Sequence, residues 1–335
     1  MLYWARKKKG ECPLKLKEQV ARYLAEHPGE DISGQQLAEQ LQVSRAAVWK
    51  AIQTLREEGY AITSSTNRGY RFGLGDDPIR EADIRAWCPD NRAPITVLDT
   101  VDSTNQYARR LADEGASHGA MVVANFQSAG RGRRGRPFYS PAGSGLYLSV
   151  ILRPTQPMGQ MLTITLAAAV AVSQAIEQTT GQRVQIKWVN DLFLGRKKVS
   201  GILTEAVTSV ESGEIESIIV GIGVNCRECA WPDELGQIAG SLDAQGLSRS
   251  RLAGAIWTEL MHWQGRLDDP ALLETYRARC LLLGRQVRYE QEGTQRYGRA
   301  LTVDGQGRLL IETADGGHLA LQAGDVSVRE WEEEE

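Results

Sequence analysis

Apolar residues recur at helical spacing in the first sixty positions and at strand spacing in the last fifty. Between residues 15 and 26, Leu16, Val20, Tyr23 and Leu24 share one helical face. His27-Pro-Gly29 interrupts that face. Ser33 is placed to cap a second short helix carrying Leu37, Ala38 and Leu41. After a tight turn at Gln42-Val43, Ser44 caps a third, with Val48, Ile52 and Leu55 on its buried stripe and Gly59 at its end. Two short helices joined this tightly predict a helix-turn-helix. Residues 60–63 and 70–72 alternate as strands around a turn at 64–69, which predicts a wing carrying Arg68 and Arg71.

From Ile79 to about Leu283 the two periods mix. Strands are expected at 95–98, 121–124, 146–152, 185–189, 192–194 and 215–221, and helices at 103–114, 162–180, 252–267 and 270–280. Without a strict strand–helix–strand rhythm, this predicts an α+β domain with a mixed or antiparallel sheet. From Gly284 on, short alternating segments are separated by Asp304-Gly305, Gln306-Gly307 and Asp315-Gly-Gly317, the texture of a small β-barrel. Gly73-Leu-Gly-Asp-Asp-Pro78 is the expected linker. The domains expected are therefore a winged helix-turn-helix at 1–75, an α+β domain at 79–283 and a barrel at 284–335.

Composition narrows the class. The chain of 335 residues is 42% hydrophobic and 24% charged, ordinary values for a soluble globular protein, and long enough for two or three domains. No apolar run approaches the length of a membrane span, and residues 1–10 do not read as a secretory signal. Five cysteines, an odd number, suit a reducing compartment, so a cytoplasmic protein is expected. Cys226-Arg-Glu-Cys229 has metal-type spacing but no second pair nearby, and a zinc site takes about four ligands. The net charge of −3 is uneven: residues 1–75 hold twelve Lys/Arg against eight Asp/Glu, a net of +4, and the remainder carries −7. A basic N-terminal piece on an acidic body points to nucleic acid as its partner. On the third helix Ser44, Arg45, Ala47 and Lys50 form the exposed face, where small side chains admit the helix to a major groove and the cations reach bases or phosphates.

The chemistry concentrates in the middle. Gln127-Ser-Ala-Gly-Arg-Gly-Arg-Arg-Gly-Arg136 packs three glycines and four arginines between two apolar strands. Glycines let backbone N–H groups close on a ligand, and Arg131, Arg133, Arg134 and Arg136 are permanent charges that suit phosphate and carboxylate. On residue type alone, such a loop serves a small phosphate ligand or nucleic acid equally well. Asp102-Ser-Thr-Asn105 at a helix start is first a capping signal. Lys187-Trp-Val-Asn-Asp191 reads as a turn, Lys198 in Arg196-Lys-Lys198 as a solvated cation, and Gly221-Ile-Gly-Val-Asn225 as a strand end with bare backbone. Each is weak alone; five polar or glycine-rich strand ends in one domain imply a shared ligand cleft.

Those motifs, in that order and with Lys198-Val-Ser-Gly-Ile-Leu203, resemble the biotin protein ligases, and the flanking domains resemble the bifunctional bacterial form that also represses biotin synthesis. The resemblance covers residues 15–330. It implies a winged helix, a central ligase domain and a C-terminal SH3-like barrel. It implies two steps: biotin and ATP give biotinyl-5′-adenylate and pyrophosphate, and the biotinyl group then passes to a lysine of biotin carboxyl carrier protein. Ser103, Thr104, Asn105 and Gln127 match the biotin head-group positions, and Gly130 and Arg131 backbone contacts to biotin. Arg133 matches the phosphate-steadying arginine, with Arg134 and Arg136 beside it, and Phe138 the aromatic near adenine. Lys187, Asn190 and Asp191 match the nucleotide and Mg²⁺ region. Lys198 matches the lysine bridging the biotin carboxylate and α-phosphate. Gly201, Leu203, Gly221, Gly223, Val224 and Asn225 match pocket walls. Ser44, Arg45, Ala47, Lys50 and Arg68 are the implied operator-DNA contacts, on an adenylate-bound homodimer. One position departs: Val189 stands where the family commonly has proline. Proline fixes φ, so a looser turn is expected there.

Overall fold

The computed structural model describes residues 16–25, 27, 30–57, 62–65, 69–72, 77–153, 161–208, 214–291, 293–322, 324 and 326–328. The chain divides into two units, residues 1–73 and 74–335. In the first, α1 (Leu16–Ala25), α2 (Gly34–Gln40) and α3 (Arg45–Glu57) precede an antiparallel pair, β1 (Ile62–Ser65) and β2 (Gly69–Phe72). Ser33 starts α2 with a capping box: its Oγ accepts the Gln36 N–H at 3.1 Å, and Gln36 Oε1 accepts the Ser33 N–H at 2.8 Å. The apolar stripes meet as expected, with Val20, Leu24, Leu37, Val48, Ile52 and Leu55 at most 1% exposed. Each such side chain is worth about 1.5–3 kcal/mol on burial, so this small core sets how the three helices lie.

The second unit is built on a seven-stranded mixed sheet in the order β3-β4-β5-β9-β8-β7-β6. Its strands are β3 (Ile95–Val101), β4 (Met121–Gln127), β5 (Gly145–Leu152), β6 (Gln185–Lys187), β7 (Asp191–Leu194), β8 (Lys197–Thr208) and β9 (Ile215–Asn225). Only β3 and β4 run parallel; the other neighbours are antiparallel. Because side chains alternate across a strand, the sheet has two chemically distinct faces. One face presents Val123, Leu146, Leu148, Val150, Val220, Ile222 and Val224 to the main core under α6 (Met161–Thr180) and α8 (Arg249–Gln264). The other presents Val122 and Ile219 to Ala108 and Ala112 of α5 (Thr104–Asp113), and its far end stays open.

Helix α6 corrects the expectation that no apolar run is long enough for a membrane span. It has the length and apolarity of one, yet eleven of its residues, from Ile164 to Ile176, are buried inside the fold. A short helix not anticipated from the sequence, α4 (Glu81–Trp87), packs on α8, while α7 (Asp233–Gly236) and α9 (Pro270–Arg279) complete the set. At the start of α8, fully buried Arg249 meets Asp77, the Asn125 amide and the Gly145 carbonyl. Burial lowers the pKa of this arginine, and the Asp77 carboxylate opposes that shift.

The C-terminal strands, β10 (Gln286–Gln291), β11 (Thr294–Val303), β12 (Leu309–Thr313), β13 (His318–Leu321) and β14 (Val326–Val328), form one antiparallel sheet in the order β13-β12-β11-β10-β14. Among the described residues β13 and β14 are edges not paired with each other, so the structure shows a β-domain with an open sheet where a closed barrel was expected. Side chains join it to the rest of the second unit. Trp188 Nε1 donates to the Gly307 carbonyl at 2.9 Å, and Arg277 of α9 donates through Nε to the Val303 carbonyl at 2.8 Å.

Candidate active-site cleft

The open end of the sheet holds a cleft of about 270 Å³. Its floor follows from strand register. Gly201 faces Gly223 and Leu203 faces Gly221 across β8 and β9, while Tyr147 and Ser149 of β5 lie opposite the same two glycines. The two β9 glycines allow close approach. A Cβ on Gly221 would lie 2.0 Å from Asn105 Oδ1, and one on Gly223 would lie 2.4 Å from the Phe138 ring. Helix α5 and the Phe138 ring therefore rest on bare backbone.

One end of the cleft is neutral and polar. Ser103, Thr104 and Asn105 stand at the start of α5, each at most 4% exposed. Gln127 Oε1 accepts the Thr104 N–H at 2.8 Å, and Gln127 Nε2 donates to Ser140 Oγ at 2.9 Å. Ser149 Oγ sits 2.8 Å from Thr104 Oγ1 and 2.6 Å from Asn105 Oδ1. The Ser103 side chain makes no capping bond to α5 and lines the cleft.

The other end is charged. The arginine loop is tied at its root: the Ser128 and Ala129 N–H groups donate to the Val101 and Asp102 carbonyls at 2.9 and 2.8 Å. Its tip is a single helical turn in which Arg134 takes φ 55°. Arg131, Arg133, Arg134, Arg136 and Phe138 all line the cleft, facing Asn190, Asp191 and Lys198 from the sheet. Arg133 donates to Asn190 Oδ1 at 2.8 Å. Lys198 Nζ lies 2.6 Å from Asp191 Oδ1, with both side chains less than one-third exposed. Backbone bonds from Lys198 N to the Ile238 carbonyl, and from Gly240 N to the Lys198 carbonyl, lay segment 238–240 against the start of β8. Five cations from two directions thus line one cleft, an arrangement suited to a substrate bearing several negative oxygens.

Four expected residues lie outside the lining. Gly130 backs the loop, its carbonyl accepting the Phe138 N–H at 2.9 Å. Lys187 ends β6 with Nζ 5.8 Å from the centre of the Phe193 ring. Asn225 braces the wall from behind, donating to the Gly240 carbonyl at 2.9 Å. Val224 is a correction: strand alternation turns its side chain into the fully buried core on the opposite face. The turn that holds Val189, where proline is common in the family, is tied by side chains. The Val189 carbonyl accepts from the Tyr276 hydroxyl at 3.1 Å, and Asn190 Nδ2 donates to the Ile202 carbonyl at 2.8 Å.

The structure adds residues that the motifs did not flag. Leu235 and Ile238 line the charged end, the latter 54% exposed. Glu205 stands beside Asn105, and Ser149 beneath it. A single serine inside the apolar run Leu146-Tyr-Leu-Ser-Val-Ile-Leu152 was the available signal for Ser149. The Cys226/Cys229 pair lies outside the lining, and burial pushes these thiols up to about 12 and about 11. Among the described residues no cluster of three or more His, Cys, Asp or Glu is placed to hold a metal.

In the N-terminal unit Ser44 caps α3, its Oγ accepting the Ala47 N–H at 3.2 Å. Ser44, Arg45 and Lys50 are exposed, Ala47 is half-buried, and Trp49, not anticipated, is 58% exposed on the same helix. Arg68 lies outside the described residues. Arg71 is committed to Asp31 through two bonds of 2.9 and 2.7 Å, and that carboxylate raises its pKa.

Known proteins share this arrangement. The Biotin/lipoate A/B protein ligase family profile matches residues 97–225, an HTH domain profile residues 17–71, and the Biotin protein ligase C terminal domain profile residues 282–329. The bifunctional ligase/repressor BirA of Bacillus spizizenii is 36% identical over 314 residues, covering 90% of this chain and 95% of that protein. The protein of that name from Escherichia coli is 31% identical over 332 residues, covering 97% and 99%. Among solved structures, the biotin protein ligase from Aquifex aeolicus in complex with biotin and ATP matches with a TM-score of 0.61 at 28% identity, over 70% of this chain and 98% of that one. This chain is therefore a member of the biotin protein ligase family, in the form that carries a helix-turn-helix domain ahead of the ligase core and the family's C-terminal domain behind it.

Proposed function

We propose that the protein is an ATP-dependent biotin protein ligase and a biotin-responsive repressor of biotin synthesis genes. The observation that carries the first part is one cleft with a neutral hydrogen-bonding end at Ser103, Thr104 and Asn105 and a cationic end at Arg131, Arg133 and Lys198. Biotin has that polarity, with a cyclic urea at one end and a carboxylate at the other. On this reading the urea sits on α5, and the carboxylate meets the α-phosphate of ATP between Lys198 and Arg133. Two anions repel as they approach, and fixed cations on both sides reduce that repulsion most where charge develops. Arg134, Arg136 and Asn190 face the remaining phosphates, and Phe138 with Leu235 and Ile238 offers apolar cover to adenine. Asp191, one carboxylate beside a phosphate site, suits Mg²⁺, which is held by one or two carboxylates plus phosphate oxygens and would screen the triphosphate charge. The first step yields biotinyl-5′-adenylate and pyrophosphate. In the second, a lysine of biotin carboxyl carrier protein attacks the mixed anhydride and AMP leaves, with no protein nucleophile required.

The second part rests on exposed Arg45, Trp49 and Lys50 along α3, with Ser44 at its cap. We assign these to an operator half-site, read by a cytoplasmic homodimer whose formation the adenylate favours. The division into domains at 1–75, 79–283 and 284–335, and closure of the last as an SH3-like barrel, belong to the same reading. One preparation tests both parts. With Mg-ATP and biotin it should place avidin-detectable biotin on a carrier domain, and none on a carrier whose acceptor lysine is replaced by arginine. It should bind an inverted-repeat operator more tightly when loaded with adenylate than when free. Unlabelled carrier rejects the ligase, and equal operator binding by free and loaded protein rejects the switch.

A further inference from the structure

We infer that Glu205 is a positioning residue that fixes which way the head-group end of the cleft is polarised. This rests on the ligase reading above. Glu205 follows Leu203 by two positions on β8, so it shares the cleft face of that strand. Its Oε2 accepts from Asn105 Nδ2 at 2.8 Å, and the Leu203 carbonyl accepts from the same nitrogen at 3.3 Å. Its other oxygen lies 3.9 Å from Arg131 of the arginine loop.

A carboxylate and a carbonyl can only accept. Turned the other way, the Asn105 amide would set its own oxygen against both. Its Nδ2 must therefore face Glu205, and its Oδ1 must face Ser149, 2.6 Å away. That oxygen cannot donate, so the single Ser149 proton goes to it. Ser149 Oγ, 2.8 Å from Thr104 Oγ1, is then left to accept the Thr104 proton. Gln127 Oε1 is the alternative acceptor at 3.1 Å, but a proton sent there would leave the Ser149 and Thr104 oxygens 2.8 Å apart with no proton between them. With its proton turned inward, Thr104 Oγ1 offers lone pairs to the cleft, and Asn105 Oδ1 has one more to offer. Both groups accept, so the ligand must donate there. A ureido head supplies N–H donors of that kind, whereas the dithiolane ring of lipoate has none. Glu205 does this without touching the ligand, through Asn105, Ser149 and Thr104 in turn.

The test is steady-state adenylation by full-length protein carrying Glu205→Leu, Glu205→Thr or Glu205→Gln, with thermal unfolding run alongside. Leucine removes the acceptor, and threonine can donate as well as accept, so both free the Asn105 amide to turn. Glutamine keeps one accepting oxygen. A site left with a mis-set hydrogen bond to a ligand N–H loses about ten- to a hundredfold in affinity. The expected result is a rise of that size in KM for biotin with Glu205→Leu and Glu205→Thr, kcat and the KM for ATP within about threefold, and most of the loss restored in Glu205→Gln. Unchanged KM for biotin in the folded Leu and Thr variants would overturn the inference, as would a fall in kcat with KM unmoved. Wild-type protein that fails to adenylate biotin at all would instead overturn the ligase reading.

Discussion

At the scale of single residues, the lysine nearest the proposed reacting atoms is defined by what it neutralises. Lys198 Nζ is 2.6 Å from Asp191 Oδ1, so the cleft without substrate balances the cation internally. A carboxylate and an α-phosphate arriving beside it would take over that charge and leave Asp191 free to face a divalent cation. Lys198→Ala is therefore expected to slow adenylate formation by two or more orders of magnitude, the usual cost of losing a group that stabilises transition-state charge. The fold should be kept, because the side chain is part-exposed and the variant leaves no buried charge. A single-turnover measurement decides it, and near-normal adenylation by folded Lys198→Ala would remove the residue from its role. Chemistry at this scale was legible where residue types are distinctive. Arginines, glycines and the Lys-Trp-Val-Asn-Asp turn announce themselves. Glu205 and Ser149 did not, because their meaning is a contact across 100 and 44 positions of sequence with Asn105. Val224 misled for the opposite reason: it sits inside the right motif, but strand alternation turns it away from the cleft.

At the scale of elements, the decisive contact is the one that holds the turn between β6 and β7. Tyr276 of α9 is fully buried, and its hydroxyl donates to the Val189 carbonyl. Burial drives this phenol well above its ordinary pKa, so it remains a donor at any working pH. Replacing it with phenylalanine would strand a buried carbonyl at a cost of about 1–3 kcal/mol. Tyr276→Phe should therefore lower the unfolding midpoint in a denaturant titration and weaken Mg-ATP more than biotin, since Asn190 and Asp191 follow Val189 directly. An unchanged midpoint would mean that the turn does not depend on α9. Periodicity found most helices and strands here, because their apolar faces are long. It missed α4, which is seven residues, and extended the strand expected at 215–221 only as far as Gly221, where the observed β9 continues to Asn225. Paired glycines read as a strand end; in the sheet they are the bare stretch over which Phe138 and Asn105 lie.

At the scale of the whole molecule, two units carry opposite charge and different chemistry. The changes of texture near residues 75 and 284 were visible in the sequence because they are changes of period and composition. Whether the C-terminal sheet closes was not, because strand spacing reports hairpins and not the pairing of the outermost strands, here β13 and β14. The cleft itself depends on long-range assembly: α5, the arginine loop, β8 and β9 each contribute one side, and only strand register brings Gly201, Gly221 and Gly223 onto one floor. On the proposed function this floor selects biotin, and the cationic end of the cleft activates it with ATP. ATP–pyrophosphate exchange, measured with Mg-ATP and biotin, lipoate or no acid, tests that claim before any carrier or DNA is involved. Exchange that depends on biotin is the predicted result. Exchange with lipoate alone, or none with biotin in a folded sample, would contradict it.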